Sequence, residues 1–199
     1  MNTMRRTARD RHARRTFSVC SVCAAAMLIS LFGAQRVSAG DPFAVPKTLG
    51  PQSRQEVAYS EAASAGTIVV DTQARVLYLV TRKGTALKYD IGVGREGFGW
   101  SGTTRVGAKR EWPDWRPPSD MRARNPSLPE FVPAGPHNPL GARAIYLYQG
   151  GRDTLYRIHG TNDNGAVGQA VTSGCFRLSN RDVIDLYERV NVGATVIVR

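Results

Sequence analysis

Cys175 lies in "VTSGCFR", sixteen residues after His159 and two before Arg177, and this trio has the residue types of a thiol-dependent acyl-transfer centre. A thiol is a weak nucleophile until it loses its proton, and a neighbouring imidazolium makes that loss cheaper. The pair therefore predicts that Cys175 alkylates quickly below the pH at which a free thiol is mostly protonated. Gly174, just before the cysteine, lets the backbone turn sharply so that nearby amides can face a developing oxyanion. Arg177 supplies a permanent charge for a substrate carboxylate. Each residue also has an ordinary structural use. A histidine at a strand end can be a satisfied structural residue, and Arg177 can pair with Asp182 or Asp185. His137, in "GPHNPLG", reads as a loop residue.

The compartment sharpens the question. Residues 1–39 read as a signal peptide, with seven arginines and one acid flanking the apolar run "FSVCSVCAAAMLISLFGA" and "VSA" before Gly40. Arg14-Arg15-Thr16-Phe17 also resembles a twin-arginine signal. An uncleaved membrane anchor is the alternative. Cleavage would remove Cys20 and Cys23, limit membrane contact to the signal itself and leave Cys175 alone. Structural cysteines in an oxidising compartment come in pairs, so a lone one is a core residue, an intermolecular bridge or a nucleophile. Cleavage would also lower the formal net charge from +11 to +5. That modest excess suits an anionic envelope polymer and gives no call for a nucleic-acid partner.

The elements that must position the trio read as mostly β. Residues 40–65, with Pro42, Pro46 and Pro51, read as a linker or arm before a domain at 66–199. "TIVVDTQARVLYLVTRKGTALKYDIGVGR" alternates as a three-stranded meander, and "RVGAKRE" as a short strand. Eight of the eleven prolines fall between Pro113 and Pro139, beside Trp112 and Trp115. No period survives there apart from one turn after Ser119, so the segment reads as a lid or as a packed loop over a sheet edge. "AIYLY" and "LYRIH" are strands, the second ending at His159. Ser179 and Asp182 form a capping box for the helix "RDVIDLYERV", which stripes Val183, Leu186, Tyr187 and Val190. "ATVIV" closes as a strand. The fold expected is a β-sandwich or partly closed barrel with one helix after the cysteine.

Together these segments resemble the L,D-transpeptidase catalytic domain, the YkuD family, over about residues 66–199. The matching residues are His159-Gly160-Thr161, Thr172-Ser173-Gly174-Cys175 with Arg177-Leu178, Asn180 and Asp182, Leu186-Tyr187, and Val190 with Gly193. "GTIVVDTQARVLYLV", Gly92-Val93-Gly94-Arg95 and "NPLGARAIYL" resemble its earlier segments. Two departures stand out. Trp100-Ser101-Gly102-Thr103 replaces a common Thr-Pro-x-Gly, and the turn after His159 lacks a frequent proline.

The resemblance implies that Cys175 attacks the third residue of a peptidoglycan tetrapeptide stem and expels D-alanine. An amine then resolves the thioester, from a second stem, an envelope-protein lysine or a free amino acid. It implies His159 as base, the Gly160 carbonyl fixing its tautomer, and amides near Gly174 and Cys175 holding the oxyanion. Arg177, Ser173 and Thr161 would contact substrate, and Trp112 and Trp115 would line the stem-peptide cleft. No metal or cofactor is expected, since the chain offers no ligand set for one. A sortase also orders His, Cys and Arg, but has threonine before its cysteine and its arginine farther on. A non-catalytic wall-binding module of the same fold is the other alternative. Papain-like amidases place cysteine before histidine and are excluded by chain order.

Overall fold

The computed structural model describes residues 49–199; the expected signal peptide, its cleavage site and residues 40–48 lie outside the described residues. The strands are β1 (Gln55–Ala58), β2 (Ile68–Asp71), β3 (Val76–Arg82), β4 (Thr85–Asp90), β5 (Val93–Gly94), β6 (Gly102–Glu111), β7 (Arg143–Gln149), β8 (Arg152–His159), β9 (Ala170–Thr172), β10 (Phe176–Arg177) and β11 (Thr195–Val198). The helices are α1 (Ser119–Arg124) and α2 (Asn180–Arg189). Nine strands make one sheet in the order β1-β4-β3-β2-β11-β6-β7-β8-β10, and β5 pairs with β9.

The expected meander forms as antiparallel β2–β3–β4. Its alternation works on both faces. Ile68, Val70, Leu77 and Tyr89 enter the main core, while Val69, Val80, Ala86 and Tyr59 form a smaller cluster on the other side. The main core also takes Ile145, Leu147 and Ile158 from β7 and β8, so both halves of the sheet curl around it. Gly92, just after β4, exchanges backbone hydrogen bonds of 2.7 and 2.9 Å with Arg177 on β10. That bridge brings the far edge of the sheet back towards its start, giving the partly closed, mostly β fold expected from the sequence.

Three local readings change. "RVGAKRE" lies in a ten-residue strand, because β6 is paired on both sides, by β11 and β7. The described part of the proline-bearing arm packs onto the domain: β1 adds to β4, and Ser53 donates from its amide and hydroxyl to Asp182 Oδ2 at 2.9 and 2.7 Å. This contact leaves the capping box half-formed. The Asp182 amide donates to Ser179 Oγ at 3.1 Å, a cap worth about 1 kcal/mol, but its carboxylate turns to Ser53. At the other end of α2, Lys109 donates to the Tyr187 and Val190 carbonyls at 2.5 and 2.7 Å, where a cation complements the helix dipole. Val183, Leu186 and Val190 bury the predicted stripe, with Tyr187 packed at its margin. Among the described residues no helix is long and apolar enough to cross a membrane.

Candidate active site

Strands β8 and β10 run parallel, with Phe176 opposite Ile158 and Arg177 opposite His159. The two-residue period of a strand then sorts the side chains. Phe176, Leu178 and Ile158 enter the core. Cys175 and Arg177 share the opposite face with Arg157 and His159. A one-residue slip of β10 would exchange the two sets, putting the thiol into hydrocarbon. Core packing therefore fixes which face presents the sulfur.

His159 is buried, at 4% exposure, and its Nδ1 lies 2.6 Å from the Gly160 carbonyl. A carbonyl only accepts, so Nδ1 carries the proton and Nε2 is left with a lone pair. Asn180, the first residue of α2, holds this turn in place. Its Oδ1 accepts from the Ala142 and Thr161 amides at 2.9 and 3.2 Å, and its Nδ2 donates to the Thr161 carbonyl at 2.8 Å. A Cβ on Gly160 would come within 2.3 Å of that Oδ1, so the turn needs glycine. Sequence reading identified Asn180 only as a matching residue; its role depends on contacts far apart in the chain.

Burial dominates the electrostatics. It pushes the His159 pKa down to about 3, helped by the nearby Arg177 charge and opposed by the Gly160 bond. It pushes the Cys175 thiol up, against the lowering influence of the Arg157 amide and of the Arg157 and Arg177 charges. Burial also lowers Arg177, opposed by Asp163 and Cys175. The half-buried sulfur faces the Leu155 carbonyl at 3.9 Å, and among the described residues no hydrogen bond joins it to His159. Burial thus opposes ionisation of both groups and favours neutral thiol and neutral imidazole over the easily ionised thiol expected. The iodoacetamide reaction of Cys175 is accordingly expected to titrate with a midpoint above the ordinary thiol value of about 8.5. A rate already at its plateau by pH 7 would reveal a thiolate–imidazolium pair instead.

The oxyanion expectation narrows to one amide. The Gly174 amide donates to Thr172 Oγ1 at 3.2 Å, whereas the Cys175 amide has no acceptor among the described residues. Gly174 adopts φ +104°, and its carbonyl accepts from Trp100 Nε1 at 2.9 Å. Trp100 stacks on Tyr156 at 4.5 Å between ring centroids. The tryptophan that replaces the common family motif thus buttresses the turn before the cysteine. Leu155 adopts φ +63°, unusual for a branched side chain, and its amide donates to Asp153 Oδ1 at 2.8 Å. No local sequence signal marks that kink.

Cys175 opens into a cleft of about 540 Å³, lined also by Ser173, Trp115, Tyr156, Arg157 and α1. Trp115 and Ser173, both expected at the substrate cleft, line this one. Trp112 does not line this cleft; its amide is tied to the Ala142 carbonyl at 2.9 Å. Nor does Thr161, which is buried and spends its hydroxyl within its own turn, donating to the Asp163 carbonyl and accepting the Asp163 amide. Arg177 sits behind the cysteine, opposite His159, and forms no ion pair with Asp182 or Asp185. The proline-rich segment supplies one wall of the cleft, as a lid would.

Probable L,D-transpeptidase ErfK/SrfK of Escherichia coli is 39% identical over 150 residues, covering 71% of this chain and 46% of the relative. Probable L,D-transpeptidase YbiS of the same species is 37% identical, covering 71% and 47%. The chain thus spans about half the length of the curated relatives it matches. An L,D-transpeptidase structure from Mycobacterium smegmatis shares the fold at a TM-score of 0.53 and 23% identity, over 69% of this chain and 59% of that one. A Brucella melitensis crystal structure, described as a probable carnitine operon oxidoreductase, is 44% identical at a TM-score of 0.51, over 71% and 89%. The family model for the L,D-transpeptidase catalytic domain matches residues 65–198, and the chain belongs to that family, YkuD.

Proposed function

We propose that the protein is a peptidoglycan L,D-transpeptidase that works by a cysteine acyl-enzyme in the cell envelope, with residues 1–39 as its export signal. The observation that carries the reading is the Nδ1–Gly160 hydrogen bond of 2.6 Å, which leaves Nε2 free as a base on the face of the sheet that presents Cys175. Family membership favours this over a sortase, and the retention of both Cys175 and His159 favours catalysis over a binding module.

A tetrapeptide stem enters the cleft with the carbonyl of its third residue near Sγ. The thiol leaves the Leu155 carbonyl and turns towards Nε2, which takes its proton as the S–C bond forms. Because the resting pair is neutral, proton transfer accompanies attack rather than preceding it. The Cys175 amide donates to the oxyanion. Nε2–H then protonates the departing D-alanine nitrogen, leaving a thioester. An acceptor amine attacks that carbonyl, loses its proton to His159 and forms the new amide, and the sulfur recovers the proton. The amine comes from a second stem or an envelope-protein lysine; water in its place would give carboxypeptidase activity.

The test is mass analysis of products after the purified protein meets a defined tetrapeptide and a panel of amines. The expected result is an adduct of tetrapeptide mass less D-alanine on Cys175, followed by amide products. Intact donor and unmodified protein after extended incubation would overturn the reading.

A further inference from the structure

Phe98 forms a wall of the cleft between the β5–β6 loop and α1, and two guanidiniums lie over its ring. Arg95 Cζ stands 4.1 Å from the ring centroid and Arg124 Cζ 4.9 Å. Both side chains are exposed, and among the described residues neither forms an ion pair. Arg95 Nη1 also donates to Ser173 Oγ at 3.4 Å, two residues before the nucleophile. The other guanidiniums of the cleft are differently occupied: Arg157 forms a two-pronged pair with Asp153, and Arg116 lies over Phe131. Two like charges drawn to one ring repel each other, and an anion beside that ring relieves the repulsion. Stacking leaves the N–H edges of a guanidinium free, which is the geometry that grips a carboxylate.

We propose that Arg95 and Arg124, held on Phe98, form a carboxylate-reading subsite that selects donor stems with a free acid over amidated ones. This rests on the transpeptidase reading. A donor offers that chemistry from two sources, its terminal residue and the side chain of a diamino diacid at its third position. Arg124 lines the cleft that holds Cys175, Arg95 lines the adjoining 330 Å³ cavity, and Phe98 borders both. The subsite thus sits where a stem anchored at Cys175 carries its charge.

The test measures binding rather than turnover, using the Cys175→Ala protein and three tetrapeptides: the free acid, one amidated at the terminus and one amidated at the side chain. The free acid is expected to bind about 10- to 30-fold more tightly than one of the amides, and that amide identifies the carboxylate. Arg95→Gln with Arg124→Gln is expected to bring the ratio close to one, and Arg→Lys at both positions to restore part of it. Phe98→Leu, which keeps both charges and loses their platform, gives an intermediate ratio. Equal binding of acid and amides, an unchanged ratio in the double variant, or no binding at all would overturn the subsite. Failure of the transpeptidase reading appears separately, as absence of acyl transfer by the unsubstituted protein from all three donors.

Discussion

Cys175→Ser is expected to lower tetrapeptide turnover by about 10³-fold or more, and His159→Gln to do the same. The reason lies in the resting protonation states. Burial holds the imidazole pKa down at about 3, so His159 is a weak base. A weak base can assist a thiol, whose proton is only modestly held, but has little power over a serine hydroxyl. The serine protein should fold normally, because the hydroxyl is smaller than the thiol it replaces on a half-buried face. Glutamine at 159 can donate to Gly160 but cannot accept and carry a proton, so it separates geometry from chemistry. The pH profile supplies a further check on the unsubstituted protein. A base with pKa about 3 stays unprotonated at mildly acid pH, so kcat/KM should show no acid limb near 6.5. A serine variant with full activity would refute the acyl-enzyme.

The second large effect is expected at Gly174→Ala. This residue holds φ +104°, which costs an L side chain roughly 1–3 kcal/mol. A Cβ there would lie 2.6 Å from Tyr156 Cε1 and 3.1 Å from the Phe98 carbonyl oxygen. Tyr156 has little freedom to give way, because Trp100 stacks on it and donates to the Gly174 carbonyl. Urea unfolding should therefore record a loss of about 2–4 kcal/mol. Turnover should fall at least tenfold even where the variant is fully folded, because the turn carries the Cys175 amide. Unchanged stability and turnover would show that the turn adapts, and would remove the case for glycine here.

The sequence was most legible where pattern and structure share a short range. Alternation in "VLYLV" and "LKYDI", the stripe of α2, and Ser179 as its cap all depend on neighbours within a few residues. His159 and Cys175 were legible by type, and Gly160 through family resemblance. The remainder depends on partners far along the chain. Strands β5 and β10 are two residues long and carry no period of their own; they exist because β9 and β8 pair with them. Thr161 has a polar type suited to a binding surface, yet backbone partners turn its hydroxyl to internal work, and Trp112 lies outside the cleft lining. The thiol pKa was legible only in part, for a related reason. A neighbouring charge can be guessed from residue types, whereas desolvation is set by everything that packs around the group.

The strand Thr195–Val198 lies at the middle of the sheet, parallel to β2 on one side and antiparallel to β6 on the other. It joins the meander to the β6–β7–β8 unit through the middle of the sheet, while the Gly92–Arg177 bridge joins them at the far edge. Both of its pairings join residues far apart in the sequence, so their loop-closure cost makes them the slow kind of contact to form.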